Sequence, residues 1–248
     1  MLVAAGVLPH PPVLVPGVAG QRAADLDGMR ANCDLAVTRL FDSDPDLVVV
    51  LGGDDRTACH GSDVTGTLAP YGLDKTFGDG SARLPLSLTI GRWLLESHID
   101  RAAREFQSVA WNSTPSECLR LGERIADRAA RVALLVLGDG SACRTERSPG
   151  FLDPDAVAYD DHVAEALRCG DTTALAALRP KTAERLLVGG RPAWQVLAGA
   201  ASERSPIGEL LDYSAPYGVG YFVATWLFDS AFPRSGHPER EQAETLAE

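Results

Sequence analysis

The chain has 248 residues, of which 45% are hydrophobic, and a formal net charge of -11. This size and composition are typical of one large or two small soluble domains, and no apolar run approaches the roughly 20 residues that a membrane helix needs. An acidic chain with two lysines has few of the clustered cations that nucleic-acid binding requires, so a small molecule or another protein is the expected partner.

Cysteine usage and the first residues bear on the cellular compartment. Five widely spaced cysteines without a CxxC pair indicate neither a zinc knuckle nor a disulfide framework. The apolar start lacks a basic flank and a small-residue cleavage site, and prolines interrupt it too early for a signal peptide. The sequence therefore predicts a cytoplasmic protein without a membrane partner.

The first predicted element is a buried strand over Leu2–Leu8, which a proline-rich loop follows. Pro9, Pro11 and Pro12 cannot continue the strand, so His10 is held at its carboxyl end. Ligands bind at this end in open α/β sheets, and His10 is therefore a candidate for metal binding or proton transfer. A histidine that only caps a turn also fits this position.

A helix is predicted over Gln21–Phe41 from its apolar spacing, and a second buried strand over Asp46–Leu51. This strand runs into Gly-Gly-Asp-Asp, which leaves Asp54 and Asp55 at the same sheet edge as His10. Asp54 is therefore a second candidate metal ligand. A solvated turn explains the two aspartates equally well.

Residues 56–82 are rich in glycine, aspartate and threonine and are predicted to form an extended loop or hairpin. Long excursions at this edge commonly build pockets, so His60 within the segment is a candidate acid–base residue. The next predicted elements are a helix over Leu84–Ile99, a strand over Phe106–Trp111 and a helix from Pro115 to about Arg128.

A third apolar strand is predicted over Arg131–Leu137, and it ends in the loop GDGSACR, which carries Asp139. The loop lacks the P-loop and serine-elbow patterns, so phosphate cradling and serine catalysis are disfavoured. Cys143 lies beside Arg144, but without a clear histidine partner it is a weak candidate nucleophile.

The remaining chain is predicted to be largely helical over Asp153–Ala201 and to form strands over Glu209–Tyr213 and Val219–Leu227. The composition then becomes polar and charged. We therefore expect one domain over 1–232 and a disordered tail over 233–248.

Three predicted strand ends carry groups that can bind metal or transfer protons: His10, Asp54 and Asp139. Parallel strands joined by right-handed crossovers have their carboxyl ends at one edge, so these groups are expected to converge. One histidine with one or two carboxylates could hold a divalent metal such as Fe(II).

Four segments together resemble the class III extradiol ring-cleavage dioxygenase superfamily of the LigB type, particularly its MEMO-like branch. They are AGVLPHPPVLVP, VVVLGGDD, TPSECLRLGERIADRAARVALLVLGDGSACRTERSPGF and LDYSAPYGVGYFVATW, within about 1–227. The resemblance implies a single α/β domain with a central, mostly parallel sheet and helices on both faces. Active members open catechol-type rings with Fe(II) and dioxygen, and members often form dimers, so a homodimer is compatible with it.

The same resemblance assigns roles to individual positions and shows where this chain departs from the family. His10 matches the histidine that closes the first strand, whereas Asp54 stands where a second histidine is usual. Ala142 replaces the histidine of a Gly-Asp-Leu-Ser-His loop, and Gly189 falls where a late Glu or Cys ligand is expected. Loss of a proton-transfer group can lower a rate on the order of 100-fold to 10,000-fold.

Two functions remain open on this basis. The favoured one is a fold relative with an eroded iron site and no metal, which acts as a small-molecule-binding or protein-interaction module. The other is an active Fe(II) oxidoreductase on a catechol-like aromatic substrate, with His10 and Asp54 as metal ligands and His60 or Asp139 as acid–base residue. His60 or Cys143 could also replace a missing group of the site.

Overall fold

The computed structural model describes residues 1–18, 20, 25–98, 101–202 and 204–228. Its strands are, in chain order, β1 (Leu2–Leu8), β2 (Leu47–Asp54), β3 (Ala58–Cys59), β4 (Val64–Thr67), β5 (Thr76–Phe77), β6 (Ala82–Arg83), β7 (Ala103–Ala110), β8 (Val132–Leu137), β9 (Ile207–Ser214) and β10 (Tyr221–Leu227). Its α-helices are α1 (Asp27–Asp42), α2 (Leu86–Leu94), α3 (Pro115–Ala126), α4 (Ala156–Cys169), α5 (Thr172–Ala176), α6 (Pro180–Arg185) and α7 (Arg191–Ala200).

Seven strands form the central sheet in the order β3-β7-β2-β8-β1-β10-β9. The four strands β7, β2, β8 and β1 run parallel to one another, as expected from their continuous apolar sequences. β10, β9 and β3 pair in antiparallel fashion, so the whole sheet is mixed. β9 and β10 run antiparallel because only the short connection 215–220 joins them, and two strands joined by a tight turn run in opposite directions.

Helices cover both faces of the sheet and create two hydrophobic cores. Successive residues of a strand point to opposite faces. On β8, for example, Leu134 packs in the core with α3, α4 and α7, whereas Leu135 packs in the core with α1 and α2. The predicted α/β fold with helices on both faces is thus confirmed. No described helix has the length and apolar character needed to cross a membrane.

The helices α3 and α7 approach each other closely through two glycines. A Cβ atom on Gly122 would lie 2.0 Å from the carbonyl oxygen of Val196, and one on Gly199 would lie 2.1 Å from that of Leu119. Both distances are far below van der Waals contact. Glycine at these positions therefore sets the distance between α3 and α7.

Several predicted elements have different ends in the structure. β2 continues to Asp54 instead of ending at Leu51, and α2 ends at Leu94. The segment 56–82 contains four short strands, and three of them form a small second sheet in the order β5-β4-β6. The predicted tail over 233–248 lies outside the described residues.

Candidate functional site

His10 and Asp139 lie next to each other at the carboxyl ends of β1 and β8. These strands are neighbours, and Leu8 is paired with Leu137, so the residues two positions further along also lie side by side. The backbone N–H of His10 donates a 2.8 Å hydrogen bond to Asp139 Oδ1, and His10 Nδ1 lies 3.5 Å from the same oxygen. Only 12% of the imidazole and 17% of the carboxyl side chain are exposed. The pair is thus largely withdrawn from solvent.

Burial determines the electrostatics of this pair. It raises the pKa of the Asp139 carboxyl, and the charge and N–H group of His10 offset only part of this effect. His10 Nδ1 is buried and forms no hydrogen bond with another described residue. Its 3.5 Å approach to Asp139 is within ion-pair range but too long for a good hydrogen bond. A buried polar atom without a good hydrogen bond is costly, so Nδ1 is best satisfied by directing its proton at Asp139, which leaves Nε2 as the ring atom that can meet a ligand.

Backbone hydrogen bonds hold the loop that carries Asp139. The carbonyl of Asp139 accepts a 2.7 Å bond from the N–H of Gly190 at the start of α7. The next residue, Gly140, donates a 2.7 Å bond to the carbonyl of Gly220, which precedes β10. The loop is therefore fixed to two elements besides its own strand, which favours a preorganised carboxyl group.

Asp160 on α4 supports the same loop from inside the protein. It is fully buried, its Oδ1 accepts a 2.8 Å bond from the N–H of Ser141, and its Oδ2 lies 3.3 Å from an Arg144 nitrogen. Burial outweighs these favourable contacts and raises the pKa of Asp160 to about 6. A Cβ atom on Gly220 would lie 2.2 Å from Oδ2, so glycine is needed to make room for the carboxyl group.

A tryptophan and a glycine border His10 on the α7 side. A Cβ atom on Gly189 would lie 3.7 Å from His10 Cε1, 3.9 Å from the carbonyl of Asp139 and 4.0 Å from Trp111 Cζ3. The indole of Trp111 also covers Gly53 on β2, where a Cβ atom would lie 1.8 Å from the ring. One half-exposed indole therefore forms a flat wall over the edge of the sheet beside the pair.

Tyr221, the first residue of β10, lies within electrostatic range of Asp139. Burial raises the pKa of Tyr221, and the negative charge of Asp139 adds to this effect. The hydroxyl group of Tyr217 is buried and has no hydrogen-bond partner among the described residues. The site thus combines an imidazole and a carboxyl group with aromatic surfaces.

Arg191 anchors the loop that carries Trp111. Arg191 is only 3% exposed. Its guanidinium donates hydrogen bonds to the carbonyl groups of Trp111 and Ser113, the latter at 2.6 Å. It also donates to Gln195 Oε1 at 3.0 Å. No carboxylate of a described residue lies within ion-pair distance of it, and burial lowers its pKa.

Asp54 reaches the expected sheet edge at the end of β2, and His10 follows β1. β8 lies between their strands, so the two backbones are about 10 Å apart at the usual strand spacing. Gly52 faces Ser87 of α2, and Asp54, two residues later, shares that face of the sheet. Trp111 lies on the opposite face. Within the described part of the chain, no group of three His, Cys, Asp or Glu side chains is arranged to hold a metal ion.

His60 lies at the far side of the sheet from His10. It follows β3, which pairs with β7, and three strands separate β3 from β1, or about 19 Å at the usual spacing. His60 Nε2 lies 3.2 Å from the hydroxyl of Ser108, which is fully buried and donates to the carbonyl of Arg56 at 2.7 Å. His60 therefore cannot contact a small molecule held by His10, and the Ser108 hydroxyl is not accessible as a nucleophile.

Three site residues were not predicted from the sequence. Trp111 ends a predicted strand at the same edge as His10, and that position was the available signal. Asp160 shares a helix face with the buried Val163, which indicates an inward carboxyl group. Nothing in the sequence distinguishes the buried Arg191 from an exposed arginine at a helix start.

Comparison with known proteins supports the fold. No family model matches the chain, and no curated protein matches it. Among solved structures, the chain is similar to the uncharacterized protein JW3007 from Escherichia coli K12, with a TM-score of 0.53 and 14% identity. The match covers 91% of this chain and 99% of that one. At this level of identity it shows a shared α/β fold.

Proposed function

We propose that this chain binds a small aromatic molecule with a hydroxyl group at the His10–Asp139 pair, and that it is a relative of the class III extradiol dioxygenases with an eroded iron site. The observation that carries the proposal is the His10 imidazole, 12% exposed, which lies 3.5 Å from a carboxyl group of raised pKa. Both lie at the carboxyl edge of parallel strands, where α/β proteins bind ligands. The resemblance of the His-Pro loop and the Gly-Asp loop to that superfamily supports the family assignment.

The donor atoms of the site do not fit Fe(II). A two-His-one-carboxylate centre needs three converging protein ligands. His10 and Asp139 converge, but one Asp139 oxygen already accepts the His10 N–H, and no group of three His, Cys, Asp or Glu side chains among the described residues is arranged to hold a metal ion. At the two further positions where the resemblance implies a histidine and a late ligand, Ala142 and Gly189 have no donor atom in their side chains. We therefore assign no metal-dependent step to this chain.

The residues present can bind and orient a phenolic ligand. His10 can form a hydrogen bond with a ligand hydroxyl through Nε2, while its Nδ1 faces the Asp139 carboxyl, which orients the ring. The indole face of Trp111 offers a flat apolar surface, against which an aromatic ring can stack. Selectivity would come from this combination of one polar contact and one aromatic wall.

Metal content and catechol binding test the proposal together. The protein is purified without chelator, its iron is measured, and catechol is titrated while tryptophan fluorescence is followed. We expect substoichiometric iron and saturable binding that His10→Ala weakens about tenfold, since one hydrogen bond to the imidazole is lost. His60→Ala is the matched control, because this histidine lies across the sheet, and binding should be unchanged.

The active-enzyme alternative predicts a different result. Stoichiometric iron that is lost in His10→Ala, with oxygen consumption when catechol is added, would establish a ring-cleavage dioxygenase and contradict an eroded site. Absence of catechol binding by the wild-type protein, or equal binding by His10→Ala, would contradict the assignment of the pair as the ligand site.

A further inference from the structure

A surface groove of about 620 Å³ lies between the carboxyl end of β7 and the first turns of α3. Asn112, Ser113, Thr114, Arg120 and Arg124 contribute to its walls, and we call it the α3 groove. His10, Trp111 and Asp139 are not among its lining residues. Nothing in the proposed function uses it.

The α3 groove is lined by polar groups that the protein leaves unused. Thr114 and Glu117 bond to each other in the capping box of α3. In contrast, the side chains of Asn112, Arg120 and Arg124 form no hydrogen bond or ion pair with any other residue that the structure describes. Two guanidinium forks and an amide are therefore available to a ligand.

The charge of the α3 groove is positive, although the chain as a whole is acidic. Arg120 and Arg124 are four residues apart and so lie on one face of α3. Glu117 is the carboxylate in the lining, and its hydrogen bonds to Thr114 lower its pKa, so it stays ionised at neutral pH.

A third cation, Arg191, lies next to a residue that lines the α3 groove. Arg191 is buried, and it donates to the carbonyl group of Ser113, which lines the groove. Buried charges are normally paired, yet Arg191 has only neutral oxygen partners within the described ranges. Its positive charge adds to those of Arg120 and Arg124, and together they outweigh the negative charge of Glu117 in the lining.

We propose that the α3 groove is a second binding site, specific for the phosphate group of a small phosphorylated molecule. Arginine forks match phosphate oxygens in bidentate geometry, and Arg120 and Arg124 can provide two of them. The volume of about 620 Å³ exceeds what one phosphate group fills, so the rest of a metabolite-sized ligand is accommodated.

Titration calorimetry with inorganic phosphate and with pyrophosphate tests this site, using the full chain. We expect millimolar or tighter binding that the double variant Arg120→Gln/Arg124→Gln weakens about tenfold or more, because two charge-assisted contacts are lost. Arg179→Gln/Lys181→Gln removes two exposed cations elsewhere and should leave binding unchanged. Backbone amide NMR signals of 112–124 should shift on phosphate addition.

Two outcomes would overturn the phosphate site. One is the absence of binding by the wild-type protein up to the solubility limit of pyrophosphate. The other is an equal loss of affinity in the Arg120/Arg124 and Arg179/Lys181 variants, which would indicate attraction by overall charge alone. Catechol titration of the same variants keeps the test separate from that of the His10–Asp139 pair, since binding there should not change.

Discussion

Two buried carboxyl groups, Asp139 and Asp160, have the same direction of pKa shift but different partners. Burial raises the pKa of both. Asp160 accepts a hydrogen bond from the N–H of Ser141 and pairs with Arg144. Asp139 instead faces Nδ1 of His10, which has no hydrogen-bond partner among the described residues. Asp160 therefore positions the loop, and Asp139 is the group that can meet a ligand.

The raised pKa of Asp160 predicts a pH dependence of stability. Its folded pKa of about 6 exceeds the ordinary value of 3.8, so the folded state binds the proton more tightly than the unfolded state. Stability from this group is therefore fully present below pH 3.8 and is lost as the pH rises towards 6, by at most about 1.4 kcal/mol per pH unit. The free energy of unfolding, measured with urea from pH 4 to pH 7, should show this loss relative to Asp160→Asn.

The comparison with Asp160→Asn isolates this group, because the amide is similar in shape and does not titrate. Other carboxylates contribute equally to both proteins. A difference between the two unfolding free energies that is constant from pH 4 to pH 7 would contradict the prediction.

Gly189 provides a test of the eroded metal site. Its missing Cβ atom would lie at ordinary contact distances from His10 and Asp139, so a Cβ atom fits there without displacement. Gly189→Glu should bring a third donor group to the pair and raise the affinity for Co(II), a spectroscopic probe, at least tenfold over the wild-type protein. Gly189→Ala fills the same space without a donor atom and should bind Co(II) as weakly as the wild type.

Equal Co(II) affinity of Gly189→Glu and Gly189→Ala would show that this position does not face a metal-binding space. Visible absorption spectra report the number of ligands as well as the affinity. The result is thus independent of any enzymatic activity.

Part of the candidate site was predictable because strand ends can be read from apolar runs. His10 and Asp139 follow adjacent parallel strands, and the structure brings them together. The face of Asp54 was not predicted, because β2 continues through two glycines and the side-chain alternation continues with it. His60 was misplaced because its segment turns back along β7 in antiparallel pairing.

At the level of secondary-structure elements, the contact between α3 and α7 depends on the absence of side chains. Gly122→Ala would place a methyl group 2.0 Å from the carbonyl of Val196, and backbone on α7 cannot move without disturbing Arg191. We expect a loss of at least about 2 kcal/mol in the free energy of unfolding. Urea denaturation measures this loss.

Gly28→Ala is the matched control for that helix contact. Gly28 is an exposed residue of α1, and a Cβ atom there would meet nothing within 4 Å. Its replacement should be neutral or stabilising by about 0.5 kcal/mol, because alanine favours the helix. If both alanine variants were equally stable, α3 and α7 would be further apart than described.

α3 begins at Pro115, as the sequence predicted, and its capping box provides another test. Thr114 Oγ1 accepts the N–H of Glu117 at 3.3 Å, and the Glu117 carboxylate accepts the N–H of Thr114 at 2.8 Å. Thr114→Ala should lower the free energy of unfolding by about 1 kcal/mol. Ser116→Ala, which leaves both of these bonds in place, should change it by less than half as much. Thermal denaturation of the two variants decides between these expectations.

For the whole molecule, the sequence predicted the layers better than the order of strands. Continuous apolar runs such as Val132–Leu137 can be buried only between two layers of helices, so the α/β architecture followed from them. The hairpin of β9 and β10 was recognised as two strands, but its place beside β1 depends on long-range packing. No local pattern in Tyr221–Leu227 specifies that neighbour.

The central position of β1 has a consequence for biosynthesis. Its seven residues are entirely apolar, yet its neighbours β8 and β10 begin only at Val132 and Tyr221. A nascent chain must therefore leave this apolar segment unpaired while about 120 further residues are synthesised, since β8 is separated from β1 by that length of chain. Association of unpaired β1 segments from different chains, rather than instability of the finished sheet, is then the competing reaction during folding.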